Sequence, residues 1–176
     1  MLSAREEVIL VDHDDREIGR AEKLQAHRLG AMHRAISVCV NDSNGRMLLQ
    51  RRAAGKYHSA GLWTNACCTH PRPGEPVQEA AERRLREELG VSCPLRWTLR
   101  THYLAQVSPE LIENEVVHLF VGSHAGQIRP NPAEVEEHAW QTYKAVLANI
   151  ESNPDAFTYW FKYYVSAFGE EIFRLS

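Results

Sequence analysis

Apolar residues along the chain fall into short runs parted by polar, glycine-bearing or proline-bearing turns. Residues 8–11, Val-Ile-Leu-Val, read as a strand, and the charged cluster at 12–16 reads as the turn that closes it. Two further runs, 35–40 and 47–51, flank Asn44-Gly45, and this pair between apolar runs predicts a β-hairpin. Gly61-Leu62-Trp63 leads into another strand that runs through Cys68. Residues 75–89 carry a helical period, and Gly90 stands where a left-handed C-cap ends such a helix. Strands are expected at 95–103 and 115–122, and helices at 145–150 and 157–168, the last rich in aromatics. Strands and helices mix without regular β-α-β alternation, which predicts an α+β fold.

Composition narrows the class. The 176 residues suit one domain, spanning 1–176, and no repeat or linker divides them. Twenty basic residues stand against 23 acidic ones, a net charge of −3, so nucleic acid is not the expected partner. No apolar run approaches the roughly 20 residues needed to span a bilayer. Residues 1–7 lack the basic-then-apolar order of a signal peptide, and a cytoplasmic protein without membrane attachment is expected. The four cysteines, Cys39, Cys67, Cys68 and Cys93, form no C-x-x-C pair, so neither a zinc ribbon nor a thioredoxin motif is signalled. Without export, disulfides are not expected.

Three stretches carry chemistry. On a helical wheel Val77, Ala81 and Leu85 form an apolar stripe, yet Arg84 and Glu88 fall within roughly 20° of Val77. Either they are an i, i+4 pair at the stripe's edge, or this face lines a polar site that can hold a cation and an anion. In the stretch from Trp63 to Pro71, His70 precedes proline and is biased to extended backbone. Alternation then puts Cys68 and His70 on one face and Cys67 on the other; adjacent cysteines can equally be small core residues. Glu113-Asn114-Glu115 leads into an apolar strand with both carboxylates on one face. They are either solvated acids of a loop or a pair whose repulsion a cation or proton relieves.

Glu75, seven residues, Arg83, Leu85 and Glu87-Glu88-Leu89-Gly90-Val91 together resemble the Nudix box, a loop–helix–loop that binds a divalent cation on a diphosphate substrate. Thr69 stands where the box begins with glycine, and Arg84 replaces a metal-binding glutamate, a change that argues against multi-metal hydrolysis. With Trp63-Thr64-Asn65, Cys68, His70, Tyr103, the Glu-x-Glu strand and Trp160, the chain resembles the type I isopentenyl diphosphate isomerases from about residue 7 to residue 165. Local departures are Cys67, where an apolar residue is usual, and a short 27–33 segment.

The resemblance implies a Nudix-like mixed sheet flanked by helices and a 1,3 proton shift that interconverts isopentenyl and dimethylallyl diphosphate through a carbocation, in isoprenoid biosynthesis. An unactivated alkene is a very weak base, so such a shift needs a positioned acid and a base on opposite faces. By resemblance these are Cys68 and Glu115, with Tyr103 beside Glu115. Trp160, with Trp63, would offer a π face to the cation. His27, His33, His70, Glu113 and Glu115 would hold a tightly bound divalent ion, and mixed imidazole and carboxylate ligation suits zinc or manganese better than magnesium. Glu88 would hold magnesium with the diphosphate. Lys23, Arg52, Lys56 and Arg84 would neutralise the phosphates of a small isoprenyl substrate. A monomer or weak dimer is expected. His13, His58, His102, His118, His124 and His138 receive no role. The rival reading is a Nudix diphosphohydrolase acting on a nucleotide or related diphosphate, which would need no Cys68 and no Glu-x-Glu.

Overall fold

The computed structural model describes residues 6–174; residues 1–5, part of the segment read for an export signal, lie outside them. In chain order the elements are β1 (Glu7–Val11), β2 (Glu17–Glu22), α1 (Lys23–Leu29), β3 (His33–Asn41), β4 (Arg46–Arg52), β5 (Trp63–Thr64), β6 (Cys67–Thr69), α2 (Val77–Leu89), β7 (Leu95–Ser108), β8 (Leu111–Ser123), β9 (Val135–Thr142), α3 (Tyr143–Ser152) and α4 (Tyr159–Phe173). No helix among the described residues is long and apolar enough to cross a membrane.

All described strands join one mixed sheet. At its centre β3 runs parallel to β8 and antiparallel to β1, β4 and β6, while β7 pairs with β8 and both β5 and β9 pair with β4. The hairpin β3–β4 forms as expected. Gly45 takes the left-handed φ of +71° that its turn requires, and Asp42 Oδ1 accepts the N–H groups of Asn44 and Arg46, both at 2.9 Å. Helix α2 begins two residues later than expected, after Pro76, and ends where expected. Gly90 has φ +64°, and a Cβ there would lie 2.9 Å from that of Arg129, so both conformation and space call for glycine. The single strand expected at 63–68 is two short ones, β5 and β6, broken at Asn65-Ala66.

Strand alternation sends successive side chains to two separate cores. Ile36, Val38, Val40, Cys67 and Phe120 pack under α2 with Ala81, Leu85 and Leu89. Ala35, Cys39, Val117, Leu119 and Val121 pack on the other face under α3 and α4, with Val146, Phe161, Tyr164 and Ile172. Each large side chain buried this way contributes roughly 1.5–3 kcal/mol. A one-residue slip would turn both rows inside out, so the two layers fix the register.

That register positions the chemistry. On the α4 face the apolar rows of β3 and β8 turn polar at one end. Cys39 and Ala35 are followed outward by His33, and Val121, Leu119 and Val117 by Glu115 and Glu113. His33 pairs in register with Glu115, and Tyr103 of β7 lies opposite Glu115 on its other side.

Candidate active site

At the polar end of this face lies a cavity of about 320 Å³. Cys68, Thr69 and His70 form one wall; Tyr103, Glu113 and Glu115 form another, and Trp160 of α4 closes a side. Lys23, Arg84, Arg52 at the end of β4 and the segment after it, with Lys56, Tyr57 and His58, supply the rest with Glu6 and Glu134. His27 and His33 stand behind this wall, fully buried.

One nitrogen each of His27, His33 and His70 and one oxygen of Glu115 lie within 4.8 Å of one another. His70 Nε2 is 2.8 Å and His33 Nε2 3.3 Å from the same Glu115 Oε1, and these two nitrogens are 3.2 Å apart. Backbone carbonyls fix the tautomers. His27 Nδ1 faces Lys23 O at 2.7 Å and His33 Nδ1 faces Ala31 O at 2.7 Å. A carbonyl only accepts, so both Nδ1 atoms carry hydrogen and both Nε2 atoms present lone pairs inward. The buried Nε2 of His27 has no hydrogen-bond partner among the described residues. Burial holds the imidazole of His70 down to about 4 and lowers that of His27, so both are neutral donors.

The carboxylates complete the set. Tyr103 Oη lies 2.7 Å from Glu113 Oε2 and 2.9 Å from Glu115 Oε2, so the phenol hydroxyl stands between two buried acids. Burial and the neighbouring Glu115 push the carboxyl of Glu113 well up. Burial opposes ionisation of Glu115 too, but the neighbouring imidazoles of His33 and His70 outweigh it and hold that carboxyl well down. Convergent lone pairs, an orphaned imidazole nitrogen and two buried acids make a donor set that fits a divalent cation.

The Trp63-Thr64-Asn65 stretch acts as a bracket for the opposite wall. Asn65 Nδ2 donates to Ser37 Oγ and to Val38 O, both at 2.8 Å, while its Oδ1 accepts from the Cys68 thiol at 3.6 Å. Ser37 Oγ is 3.0 Å from Cys68 Sγ. Thr64 Oγ1 accepts the indole N–H of Trp160 at 2.9 Å. Burial pushes the Cys68 thiol up to about 12, against the pull of the Ser37 and Asn65 hydrogen bonds, so it keeps its proton near neutrality. Cys67 points into the α2 core, fully buried. Trp63 does not line the cavity, which corrects its expected role: its side chain packs in the α4 core and its carbonyl accepts from Thr158 N at 3.0 Å.

Four cations ring the remaining wall. Lys23 pairs with Glu6 at 3.0 Å, and Arg52 lies 5.3 Å over the Trp160 ring. Lys56 is bonded to Glu134, which also lies 3.4 Å from Arg84. Arg84 reaches Glu87 at 3.0 Å and Glu88 at 2.5 Å. Glu88 is buried as its place in the stripe implied, but it does not line the cavity. Arg84 takes one of its oxygens and Gln50 Nε2 the other at 2.7 Å, so a magnesium role there is not what this geometry presents.

The sequence matches the NUDIX domain over residues 31–161. It is 50% identical over 155 residues to Isopentenyl-diphosphate Delta-isomerase 1 of Aromatoleum aromaticum, 88% of each chain, and 49% identical over 156 residues to the Isopentenyl-diphosphate Delta-isomerase of Burkholderia multivorans, 89% of each. The chain belongs to the isopentenyl-diphosphate Delta-isomerase family. Its fold is shared more widely: DR0079 from Deinococcus radiodurans superposes with a TM-score of 0.77 at 20% identity, over 93% of this chain and 99% of that one.

Of the site residues expected from this family, all except Glu88 and Trp63 meet at or directly behind the cavity. Sequence reading missed Tyr57, His58 and Glu134. His58 had been given no role, yet its Nε2 lies 3.2 Å from Glu113 Oε1. No regular period marks the segment after β4, so no sequence signal singles it out.

Proposed function

We propose that this chain interconverts isopentenyl diphosphate and dimethylallyl diphosphate by a 1,3 proton shift through a tertiary carbocation. The observation that carries the reading is one cavity bounded by the Cys68 thiol, the Tyr103–Glu115 pair and the cations Lys23, Arg52, Lys56 and Arg84. The cations bind and orient the diphosphate, which places the five-carbon chain between the thiol and the carboxyl. One of Cys68 and Glu115 gives a proton to the terminal methylene carbon as the other removes one from C2; the reverse reaction exchanges their roles. Tyr103 hydrogen-bonds the carboxyl and holds it in reach. Trp160 excludes water and turns π density toward the developing charge, while Arg52 fixes its ring. A divalent ion held by His27, His33, His70, Glu113 and Glu115 would supply positive charge that lets the two acids stay ionised side by side.

The test is incubation with isopentenyl diphosphate and magnesium, followed by analysis of products. Dimethylallyl diphosphate is expected; release of phosphate would favour the hydrolase reading instead, and neither product would remove both. For the metal, His70→Asn is expected to weaken divalent-ion affinity by at least about tenfold, measured by chelator competition and elemental analysis. Unchanged affinity and activity in that variant would sink the ligand assignment.

A further inference from the structure

We infer that His58 is a positioning residue that fixes the Glu113 carboxylate for its place in the metal-holding cluster. His58 Nε2 lies 3.2 Å from Glu113 Oε1, and Tyr103 Oη lies 2.7 Å from Oε2, so each oxygen of this buried acid has its own partner. The hydrogen-bond partners of its two nitrogens distinguish His58 from His27 and His33. His58 Nδ1 faces Ser59 Oγ at 3.1 Å, and a hydroxyl can donate to it. With the Ser59 hydroxyl donating to Nδ1, the ring hydrogen sits on Nε2, which donates to Glu113 Oε1. His27 and His33 are arranged the other way round, with Nδ1–H spent on backbone carbonyls and Nε2 open. Although one nitrogen each of His58 and His27 and one oxygen of Glu113 also fall within 4.8 Å of one another, His58 is thus a hydrogen-bond donor to a ligand and not itself a ligand.

The ring has little freedom to do otherwise. It packs edge-on against Trp160, with centroids 5.9 Å apart, and against Tyr57 at 4.4 Å, and its carbonyl accepts from Arg52 Nη2 at 3.2 Å. Ser59, which carries the hydroxyl beside Nδ1, adopts φ +50°, a left-handed conformation unfavourable for serine. Removing the imidazole would leave one oxygen of Glu113 without its donor and free the carboxylate to turn away. Donors of this kind behind a ligand typically matter 10- to 100-fold in metal affinity.

The inference rests on the metal reading of the cluster, and the experiment separates the two. Full-length wild type, His58→Gln and His58→Phe are titrated with Co²⁺ under chelator competition, and visible spectra are recorded. His58→Phe is expected to lose about tenfold or more in Co²⁺ affinity, whereas His58→Gln, which keeps an N–H donor, stays within about threefold of wild type. The KM for isopentenyl diphosphate should hold while kcat falls in His58→Phe. Wild-type affinity in His58→Phe would overturn the inference. So would equal losses in both variants with a Co²⁺ spectrum that reports a missing nitrogen, since His58 would then be a ligand. Should His58→Phe not fold, His58→Leu takes its place with the same expected and overturning results. Failure of wild type to take up Co²⁺ would instead overturn the metal reading on which the inference stands.

Discussion

Cys68→Ala is expected to lower kcat for isopentenyl diphosphate by about 10³-fold or more, in the upper part of the range for a positioned acid or base. Cys67→Ala should leave kcat close to wild type. The two residues are adjacent, chemically identical and both in β6, so only the strand's register tells them apart. Cys68 pairs with Ser37 on the α4 face and lines the cavity, whereas Cys67 pairs with Val38 and is sealed against α2. Loss of the Cys67 thiol leaves a small void, which should cost roughly 1 kcal/mol in stability and lower the melting temperature slightly. Product formation followed by NMR, with thermal denaturation alongside, checks both halves. The opposite pattern would mean that β6 is displaced by one residue in solution and that the wrong thiol has been placed at the substrate.

What the sequence made legible follows from how much each element shows on one face. Helix α2 is long enough for its period to be read, and Gly90 marks its end. The β3–β4 hairpin announces itself through Asn44-Gly45. By contrast β9, Val135–Thr142, buries only Val135 fully, and its pairing with β4 is a backbone matter that leaves no alternation to read. Strand β2 is exposed or half-buried throughout for the same reason. Helix α1 has seven residues, too few for a stripe, and is capped by the side chain of Glu22 instead of a short polar residue. The site divides along the same line. Glu113 and Glu115 share a face by strand geometry alone, and so do Cys68 and His70. His27 and His33 could be named only by resemblance, because spacing along the chain says nothing of how α1 and β3 meet β8. His58 lay beyond both routes, since its partners Glu113 and Trp160 come from distant elements and its own loop has no period.

Arg84→Glu should raise the KM for isopentenyl diphosphate by about 100-fold or more, while Arg86→Glu leaves it within about twofold. Both changes alter net charge equally, and both lie on α2 two residues apart. Arg86 is exposed near the helix C-terminus, where a carboxylate costs roughly 0.3–1 kcal/mol of stability and meets no substrate. Arg84 faces the cavity and is already ringed by Glu87, Glu88 and Glu134. A glutamate in its place would gather four carboxylates around the spot where a diphosphate must arrive. The buried Glu88 would lose its cationic partner and keep only the Gln50 amide. Breaking a buried pair from one side costs about 3–5 kcal/mol, so loss of fold must be separated from loss of binding. Arg84→Gln does this, because it removes the charge yet can still donate to Glu88. It should melt close to wild type with KM raised about tenfold. Equal KM in the two glutamate variants would show that bulk charge governs binding. Phosphate release gained by Arg84→Glu would carry more weight, because a fourth carboxylate at this spot approaches the arrangement that the hydrolase reading needs, and Arg84 would then be the residue that keeps a NUDIX helix from hydrolysing the diphosphate it binds.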